Sequence, residues 1–471
     1  MLTKMILPEK FKEYLQEAIG SDNADVVISA ILTGEPVLSV RINPRKWARD
    51  GVVDSHLSTL LSGDQVPWCK EGLYLSERPV FTLDPALHAG AYYVQEPSSM
   101  ILSMLEPFLL ELAASKSVQH LTTAKTSVSK SAQQLSPAAG TSSGSIKLLD
   151  LCAAPGGKST HLASIMPNGS ALTVNEVIRT RVGPLRENVE KWGYPNVDVT
   201  SLDAAEFSRR GYLFDFILVD APCSGEGMFR KDPDAIKEWS SEAVELSASR
   251  QKRILSDIWG SLSPGGLLAY STCTMNRFEN EENVAWLIEK FKAEPVDLFG
   301  ESHLSANPGI LFSDNFTLRL HPGLVKGEGL FFALLRKPED DETYKIADKQ
   351  SDKKIFGSNK YDAFQQKNSG IHNKKFQKKS DPKSLSQKLS QVEVPEHNYA
   401  LSLDYAGEWP SVELSKEDAL IYLSRGTIKF TDQPLGYLRV TYGGLGLGFV
   451  KNLGTRANNL LPMNHRIRMQ F

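Results

Sequence analysis

The sequence predicts an α/β fold in which a doubly wound, mostly parallel sheet forms the core, with an α+β block before it and a small β-rich block after it. Strand-like and helix-like segments alternate between residues 146 and 337, which is the pattern of a parallel sheet covered by helices. Two segments with few large hydrophobic residues separate this core from the rest of the chain. The chain also has 471 residues, more than one hydrophobic core usually organises.

The two outer blocks differ in pattern. The N-terminal block, residues 1–111, has apolar residues at helical spacing over 11–19 and a strand-like run at 37–42. The C-terminal block, residues 393–471, contains a helical segment and then short apolar runs broken by glycine, at 416–423, 438–442 and 447–450. These patterns predict an α+β domain at one end and a small β-rich domain at the other.

The core block, residues 146–337, contains most of the predicted elements. In chain order we predict a strand, a helix, a strand, a helix, three strands, a helix and a strand, at residues 146–151, 158–165, 171–174, 179–192, 197–200, 214–219, 267–270, 281–291 and 330–335. Because helices and strands alternate, we expect the strands to lie mostly parallel in one sheet.

Two segments between the blocks are predicted to be loops or linkers. Residues 112–145 are rich in Ser, Thr, Ala, Gln and Lys, with few large hydrophobic residues. Residues 338–392 are rich in lysine and lack apolar periodicity. Neither composition supplies the apolar face that a packed element needs.

Composition and charge argue against several classes of protein. The net charge of −3 gives no global basic signal, so a nucleic-acid surface is expected to be local. The four cysteines form no close pairs or Cys/His clusters, which argues against a disulfide framework and a metal site. We find neither a signal-peptide pattern nor an apolar stretch long enough to span a bilayer. We therefore expect a cytoplasmic protein that makes no membrane contact.

A glycine-rich turn follows the first core strand and is a candidate cofactor site. The turn begins after Asp150 and consists of Cys152, Ala153, Ala154, Pro155, Gly156, Gly157 and Lys158. Its small residues let backbone N–H groups approach a ligand, and the next helix offers a positive N-terminus. The spacing is neither G-x-G-x-x-G nor a P-loop, which disfavours a nicotinamide cofactor or a nucleoside triphosphate.

Acidic residues follow the next two strands, at the edge of the sheet where ligands of such folds bind. Glu176 follows the second core strand, where an acid commonly accepts both ribose hydroxyls of NAD or of S-adenosylmethionine. Asp203 follows the third strand, and we expect it to accept from an adenine amino group. Together with the glycine turn, these acids predict a nucleoside-containing cofactor.

Two cysteines follow the fourth and fifth core strands. Cys223 lies in the run that begins at Asp220, and Cys273 follows Thr272. Because parallel strands end at the same edge of a sheet, we expect both thiols beside the cofactor pocket. A single cysteine at a strand end is more often a small buried apolar residue than a reactive one. Two cysteines at the ends of neighbouring strands occur by chance much less often. The order of the residues does not say which thiol is the more reactive.

These motifs resemble those of the Sun/Nop-type RNA cytosine-5 methyltransferases, a family that includes the RsmB and RsmF branches. The resemblance is carried by the glycine turn with its preceding strand and by the two cysteine runs. It extends to the following segments: Gly90-Ala91-Tyr92-Tyr93-Val94-Gln95-Glu96-Pro97-Ser98-Ser99, Asn280-Glu281-Glu282-Asn283 and Gly327-Glu328-Gly329. The family implies a Rossmann-like core that uses S-adenosyl-L-methionine and methylates carbon 5 of cytosine in RNA. Residues 112–145 make a longer insertion than this family usually has.

The resemblance also implies roles for individual residues. In this family the cysteine of the Thr-Cys motif attacks carbon 6 of the base, and the Pro-Cys cysteine helps to release the product. Carried over, Cys273 is the nucleophile and Cys223 the release residue, and the cofactor contacts come from 152–158, Glu176, Asp203 and Asp220. The chemistry also needs an acid that can share a proton with ring N3, for which Asp220 is the candidate. Lys158 would balance the charge of that acid and lower a thiol pKa.

The C-terminal block is similar to the PUA-like RNA-binding domain of the RsmF branch, whose members methylate small-subunit ribosomal RNA. The similarity lies in the stretch from Gly436 to Pro462. Arg41 and Asn43 resemble the family's Arg-x-Asn segment, which is expected to hold RNA beside the pocket. Phosphate contacts are expected from five cations of the C-terminal block, Arg439, Lys451, Arg456, Arg466 and Arg468.

Alternatives to this interpretation remain open at the level of sequence. The same reaction on transfer RNA is the nearest, because the core motifs do not encode which RNA is bound. An RNA-binding assembly factor that only retains the fold is a second, and a Rossmann-type dehydrogenase is a third. We expect a monomer that binds RNA, within a ribosomal subunit in the leading interpretation, and not DNA.

Overall fold

The structure is a computed structural model that describes residues 6–47, 63–126, 144–298, 307, 309–313, 315–341 and 394–470. Within these residues the strands form three sheets, of four, nine and four strands. The central and largest sheet belongs to the core block. Most of the segment predicted as the lysine-rich linker lies outside the described residues.

The N-terminal block contains a small antiparallel sheet and short helices. Its helices are α1 Glu9–Ile19, α2 Ser21–Thr33, α3 Pro44–Trp47 and α4 Pro85–His88. Its strands are β1 Ser39–Ile42, β2 Gln65–Val66, β3 Cys69–Tyr74 and β4 Tyr92–Val94. They pair in the order β2-β3-β1-β4, with every pair antiparallel. The predicted helix at 11–19 and strand at 37–42 correspond to α1 and β1.

The core block contains the strands and helices that the sequence predicts and three further helices, at 204–209, 233–238 and 241–259, that it does not predict. These three lie on connections between parallel strands, where a crossover is needed. Helix α5 Glu106–Thr126 precedes the block and packs into its core. The helices of the block itself are α6 Gly157–Ile165, α7 Arg179–Trp192, α8 Ala204–Arg209, α9 Pro233–Glu238, α10 Ser241–Trp259 and α11 Glu281–Phe291. Its strands are β5 Lys147–Asp150, β6 Ala171–Asn175, β7 Val197–Thr200, β8 Phe214–Asp220, β9 Leu262–Thr272, β10 Glu294–Pro295, β11 Ile310–Phe312, β12 Leu318–Leu320 and β13 Leu330–Arg336.

The central sheet is parallel across its middle and antiparallel at one side. Its order is β11-β12-β13-β9-β8-β5-β6-β7, and β10 also pairs with β13. Strands β9, β8, β5, β6 and β7 are parallel neighbours, whereas β10 to β13 form antiparallel pairs. Strand β8 is buried along nearly its whole length because helices cover both faces of the sheet, which explains its continuous apolar sequence.

The prediction that residues 112–145 form a loop is wrong for 112–126, which continue α5. The helix forms because its apolar side packs into the core through Leu109, Leu112 and Ala113. The same region contains the one segment, Ser98–Val118, that is long and apolar enough to cross a membrane by length and composition among the described residues. Its buried side chains belong to the core cluster, so packing in a folded domain accounts for its hydropathy.

The C-terminal block forms a four-stranded sheet with two helices. These are α12 His397–Leu401, α13 Lys416–Leu423, β14 Ser411–Glu413, β15 Gly436–Tyr442, β16 Leu445–Asn452 and β17 Ala457–Asn459. One hydrophobic cluster joins this block to the N-terminal block, since Val40 and Tyr92 pack with Leu438 and Ile467. The exact division of the chain into independent domains therefore stays a prediction.

Candidate active site

Two adjacent parallel strands bring Cys223 and Cys273 to the same edge of the central sheet. In the register of β8 and β9, Asp220 lies opposite Ser271. The chain leaves both strands just beyond this pair, and the two cysteine sulfurs lie 3.2 Å apart. The contact is within hydrogen-bond distance for thiols, so one sulfur can donate to the other.

The loops that carry the two cysteines are also joined directly. The Gly227 N–H donates to the Cys273 carbonyl at 2.8 Å, and the hydroxyls of Ser224 and Thr274 lie 2.9 Å apart. Glycine is required at 227 because a Cβ there would lie 2.5 Å from the Cys273 carbonyl oxygen. The Gly225-Glu226-Gly227 sequence thus allows the close approach that brings the sulfurs together.

An ion pair lies beside the thiols. Lys158 Nζ, at the start of α6, donates to Asp220 Oδ2 at 2.9 Å, and the Ser271 hydroxyl donates to Asp220 Oδ1 at 2.8 Å. Burial lowers the pKa of Lys158, but the charge of Asp220 and its hydrogen bond outweigh this and the pKa is raised overall. Lys158 is therefore held as a cation close to Cys273.

The two thiols have opposite pKa shifts. The hydrogen bond with Cys223 lowers the pKa of Cys273, and the Lys158 charge acts in the same direction, although burial and the charge of Asp220 oppose them. The pKa of Cys223 is raised by the same hydrogen bond and by burial. Cys223 is thus the donor and Cys273 the sulfur that becomes a thiolate more easily, a ranking that the sequence leaves open.

The glycine turn lies above a buried acid. Asp150 Oδ2 accepts from the Ser159 hydroxyl at 2.6 Å, whereas its Oδ1 is buried with no hydrogen-bond partner in the described structure. Burial raises the pKa of Asp150 to about 7. Gly156 has a φ of +112°, which favours glycine at this position, and α6 begins at the next residue. Burial also raises the pKa of Cys152, so this thiol is unreactive.

The two predicted nucleoside-binding acids have different surroundings. Glu176 is buried, with Oε1 accepting from the Ile178 N–H at 2.8 Å and Oε2 lying 3.2 Å from Arg181. Arg181 also donates to the carbonyl of Ala154 in the glycine turn at 2.6 Å, so it links that turn to Glu176. Asp203 is exposed and caps α8 by accepting from the Ala205 N–H at 3.1 Å.

Arg41 and Asn43 are buried, so the expectation that they hold RNA is wrong. The Arg41 side chain is 1% exposed, donates to Gln95 at 2.7 Å and to Thr160 at 2.7 Å, and lies over the Trp192 ring. Asn43 donates to the carbonyls of Gly90 and Trp192. These residues fasten the N-terminal block to helices α6 and α7.

Arg439 is also a structural residue and not a phosphate contact. It is 7% exposed, its Nε donates to the Ala400 carbonyl at 2.9 Å, and its guanidinium stacks over Tyr405. Arg439 alternates with Leu438 and Val440 in β15, so the pattern puts it on the polar face of the strand, and the sequence does not show that this face is covered as well. By contrast, Arg456, Arg466 and Arg468 are exposed, and Lys451 is half-buried beside Tyr437.

Four residues that sequence reasoning did not single out support the cysteine loops. Glu226 accepts from the backbone N–H of Met275 at 2.5 Å, and Asn276 donates to Glu226 and Glu279 at 2.9 and 2.8 Å. Gln251 donates to Glu279 at 2.7 Å. Glu226 lies three residues after Cys223 and Glu279 directly precedes Asn280, which is a weak signal, but Gln251 in α10 has none.

The parallel sheet with a glycine turn after β5 and acids after β6 and β7 defines the class of Rossmann-like methyltransferase folds. Solved structures agree with this class. A methyltransferase homologue from Pyrococcus horikoshii is 27% identical, with a TM-score of 0.52, over 71% of this chain and 97% of that chain. NSun6 from Pyrococcus horikoshii with SFG has a TM-score of 0.52 over 71% of this chain and 99% of that chain, and its 21% identity supports the fold.

Family comparisons narrow the class further. Residues 135–336 match the 16S rRNA methyltransferase RsmB/F model, 7–97 the N-terminal domain of 16S rRNA methyltransferase RsmF, and 410–467 the methyltransferase RsmF PUA domain. The chain therefore belongs to the RsmB/RsmF methyltransferase family, and it has the three parts of the RsmF branch in their order.

Named relatives carry the description ribosomal RNA small subunit methyltransferase F. The protein from Cronobacter sakazakii is 32% identical over 350 residues, which cover 72% of this chain and 66% of the relative. The protein from Escherichia coli O127:H6 is 34% identical over 340 residues, 70% of this chain and 64% of the relative. The matches thus span slightly less than two thirds of the relatives' own length.

Proposed function

We propose that this chain methylates carbon 5 of a cytosine in small-subunit ribosomal RNA, with S-adenosyl-L-methionine as methyl donor and Cys273 as covalent nucleophile. The observation that carries the proposal is the contact between Cys223 and Cys273 beside the Lys158–Asp220 ion pair. A pair of thiols with opposite pKa shifts fits a reaction in which one sulfur attacks and the other handles a proton.

The residues around the glycine turn fit the cofactor. The unpaired oxygen of Asp150 is an acceptor under the turn, and the N-terminus of α6 with the backbone of residues 152–157 offers donors. Glu176 can accept ribose hydroxyls once Arg181 gives up its contact, and Asp203 has a carboxylate oxygen free of the capping bond to accept from adenine. When bound, S-adenosylmethionine supplies an electrophilic methyl group.

The protein side of the reaction begins at Cys273. Its thiolate, stabilised by the Cys223 S–H and by Lys158, adds to carbon 6 of the cytosine ring. Addition makes carbon 5 nucleophilic enough to accept a methyl group. Asp220, held between Lys158 and Ser271, shares with ring N3 a proton that comes from Lys158 and returns to it when the sulfur leaves, and so stabilises the adduct.

Product release breaks the bond between the Cys273 sulfur and carbon 6. Carbon 5 of the methylated adduct still carries its proton, which a base must remove. The electron pair of that C–H bond then forms the ring double bond, and the Cys273 sulfur leaves carbon 6. Cys223 lies against the departing sulfur and assists this release. Because the thiol must reach carbon 6, the cytosine must be unpaired or flipped from its stack.

The choice of ribosomal RNA is supported by the names of the relatives and by the PUA-type domain with its exposed Arg456, Arg466 and Arg468. Exposed cations of this kind bind phosphates without reading sequence.

Bisulfite sequencing of ribosomal and transfer RNA, from cells with and without the gene, tests the proposal. The expected result is one small-subunit cytosine that is protected in wild-type cells and converted in the deletion strain. The protection should return with the wild-type gene and not with Cys273→Ala. If the protected cytosine that is lost on deletion lies in transfer RNA, the proposal of ribosomal RNA as substrate is wrong. If neither ribosomal nor transfer RNA changes, the proposed activity on these RNAs is wrong.

A further inference from the structure

The backbone on both sides of Cys223 is held by two buried side chains. Gln251 Nε2, from α10, donates to the carbonyl of Pro222 at 3.0 Å. Glu279 Oε2 accepts from the N–H of Ser224 at 3.0 Å and from Gln251 Nε2 at 2.7 Å. Gln251 and Glu279 thus hold the residues that directly precede and follow Cys223, and they hold each other.

These two side chains have little freedom to move. Both are 0% exposed. Gln251 Oε1 accepts from Asn283 at 2.8 Å and from the Tyr270 hydroxyl at 3.2 Å, and Glu279 Oε1 accepts from Asn276 at 2.8 Å. A buried network with this many hydrogen bonds is rigid and fixes the position of the groups that it holds.

We propose that Gln251 and Glu279 are positioning residues that hold Cys223 so that its thiol donates a hydrogen bond to Cys273. They act through Cys223 and do not touch the reacting base. The inference rests on the proposed function in that Cys273 is the nucleophile, but the hydrogen bond itself is a property of the protein without RNA. If the hydrogen bonds of Gln251 and Glu279 to the backbone are lost, the Cys223 loop moves and the Cys273 thiolate loses a hydrogen-bond donor.

Other charged groups face Cys273 and must be kept constant in a test. They are Asp220 and Lys158 from the ion pair, and Glu279 itself, whose charge raises the pKa of Cys273. Neutralising Glu279 would therefore mix two opposite effects. A neutral replacement at 251 or a charge-preserving one at 279 isolates the positioning role.

The test is the pH profile of Cys273 alkylation by limiting iodoacetamide, with the labelled peptide quantified by mass spectrometry in the absence of RNA. Gln251→Met removes the amide at nearly constant volume and charge. We expect labelling of Cys273 at pH 7 to fall about tenfold and the profile to move to higher pH, since a hydrogen bond to a charged group is lost. Asn452 is the matched control, because its buried amide donates to the carbonyls of Phe430, Gln433 and Pro434 within the C-terminal block. Asn452→Leu should leave the Cys273 profile unchanged.

A second background separates positioning from a general loss of structure. In Cys223→Ala the donor is already absent, so adding Gln251→Met should change Cys273 labelling little further. A similar fall in both backgrounds would overturn the proposal, as would a Gln251→Met profile equal to wild type. If Gln251→Met moves the Cys273 profile as expected but the wild-type protein does not methylate RNA, the proposed function is wrong and the positioning role of Gln251 and Glu279 stands.

Folding is monitored by the cooperative unfolding of each variant. If Gln251→Met does not fold, Glu279→Asp replaces it, because the shorter carboxylate keeps its charge but withdraws from the Ser224 N–H. We expect the Cys273 alkylation profile of Glu279→Asp to move to higher pH as well. A wild-type profile in a folded Glu279→Asp protein would refute the positioning role.

Discussion

Replacing Asp150 by asparagine should stabilise the protein without its cofactor, although the residue lies beside the glycine turn that we propose as the cofactor site. The carboxyl is fully buried, and burial raises its pKa from an ordinary 3.8 to about 7. An acid whose pKa is higher in the folded state favours folding at low pH, and this benefit is lost as the pH rises from 3.8 to about 7. At about 1.4 kcal/mol per pH unit, the charge at pH 7 costs the folded state about 4 kcal/mol.

Asparagine removes that cost but introduces another. Its amide oxygen can still accept from Ser159, which now donates to Asp150 Oδ2 at 2.6 Å. Its NH2 group would replace the unpaired Oδ1 and remain without a partner, which costs about 1 to 3 kcal/mol. We therefore expect Asp150→Asn to raise the free energy of unfolding by about 1 to 3 kcal/mol at pH 7, and to lose this advantage near pH 4.

Urea unfolding of wild type and Asp150→Asn at pH 7 and pH 4 measures both values. The same variant should bind S-adenosylhomocysteine more weakly, since the unpaired acceptor under the glycine turn is gone, and calorimetric titration measures this. A variant that is no more stable than wild type at pH 7, or whose advantage is the same at pH 4, would refute the reasoning. Asp203→Asn serves as control, because that acid is exposed and its neutralisation should change stability little.

Four further outcomes are expected. Cys273→Ala should abolish methylation while keeping S-adenosylhomocysteine affinity, as measured by titration; retained turnover would rule out Cys273 as nucleophile. Cys223→Ala should trap RNA on Cys273, seen as a slow band on a denaturing gel, and a variant that turns over without such a band would contradict the release role. Arg439→Ala should lower the melting temperature by several degrees, because it removes buried contacts with Ala400 and Tyr405. Arg466→Ala should weaken RNA binding in a filter assay at unchanged melting temperature, and the reverse pattern would contradict the assignment of these two arginines.

The core elements that the sequence predicts lie within a few residues of their observed bounds because their hydrophobic patterns are strong, whereas α8, α9 and α10 are not predicted. Helix α7 and strand β7 have the predicted bounds, and β9 is longer than predicted because its early residues contain Pro264 and two glycines that obscure the pattern. The part of α5 from 112 to 126 is not predicted because it is rich in Ser, Thr, Ala and Lys, although the apolar first half of the helix packs into the core. Local propensity is a weak guide where tertiary packing decides.

The sequence predicts only those features of the site that follow from the positions of the strand ends. Strand ends locate Cys223 and Cys273 at one edge, but the direction of the hydrogen bond between them depends on the charge of Lys158 and on burial. The sequence predicts Arg41 and Arg439 as RNA contacts because it gives the charge of a side chain and not its direction. Gln251 has no local motif, since its partners lie about thirty residues away in either direction along the chain.

The contacts of Arg41 change the way the N-terminal block is understood. Its guanidinium donates to the Gly157 carbonyl at 3.3 Å and to Thr160, both in the first turn of α6. Lys158, in that same turn, reaches the other way to Asp220. The first turn is therefore held between the N-terminal block and the end of β8. Because the position of Lys158 sets the charge beside Cys273, the N-terminal block supports the chemistry of the site even though its arginine does not reach the substrate.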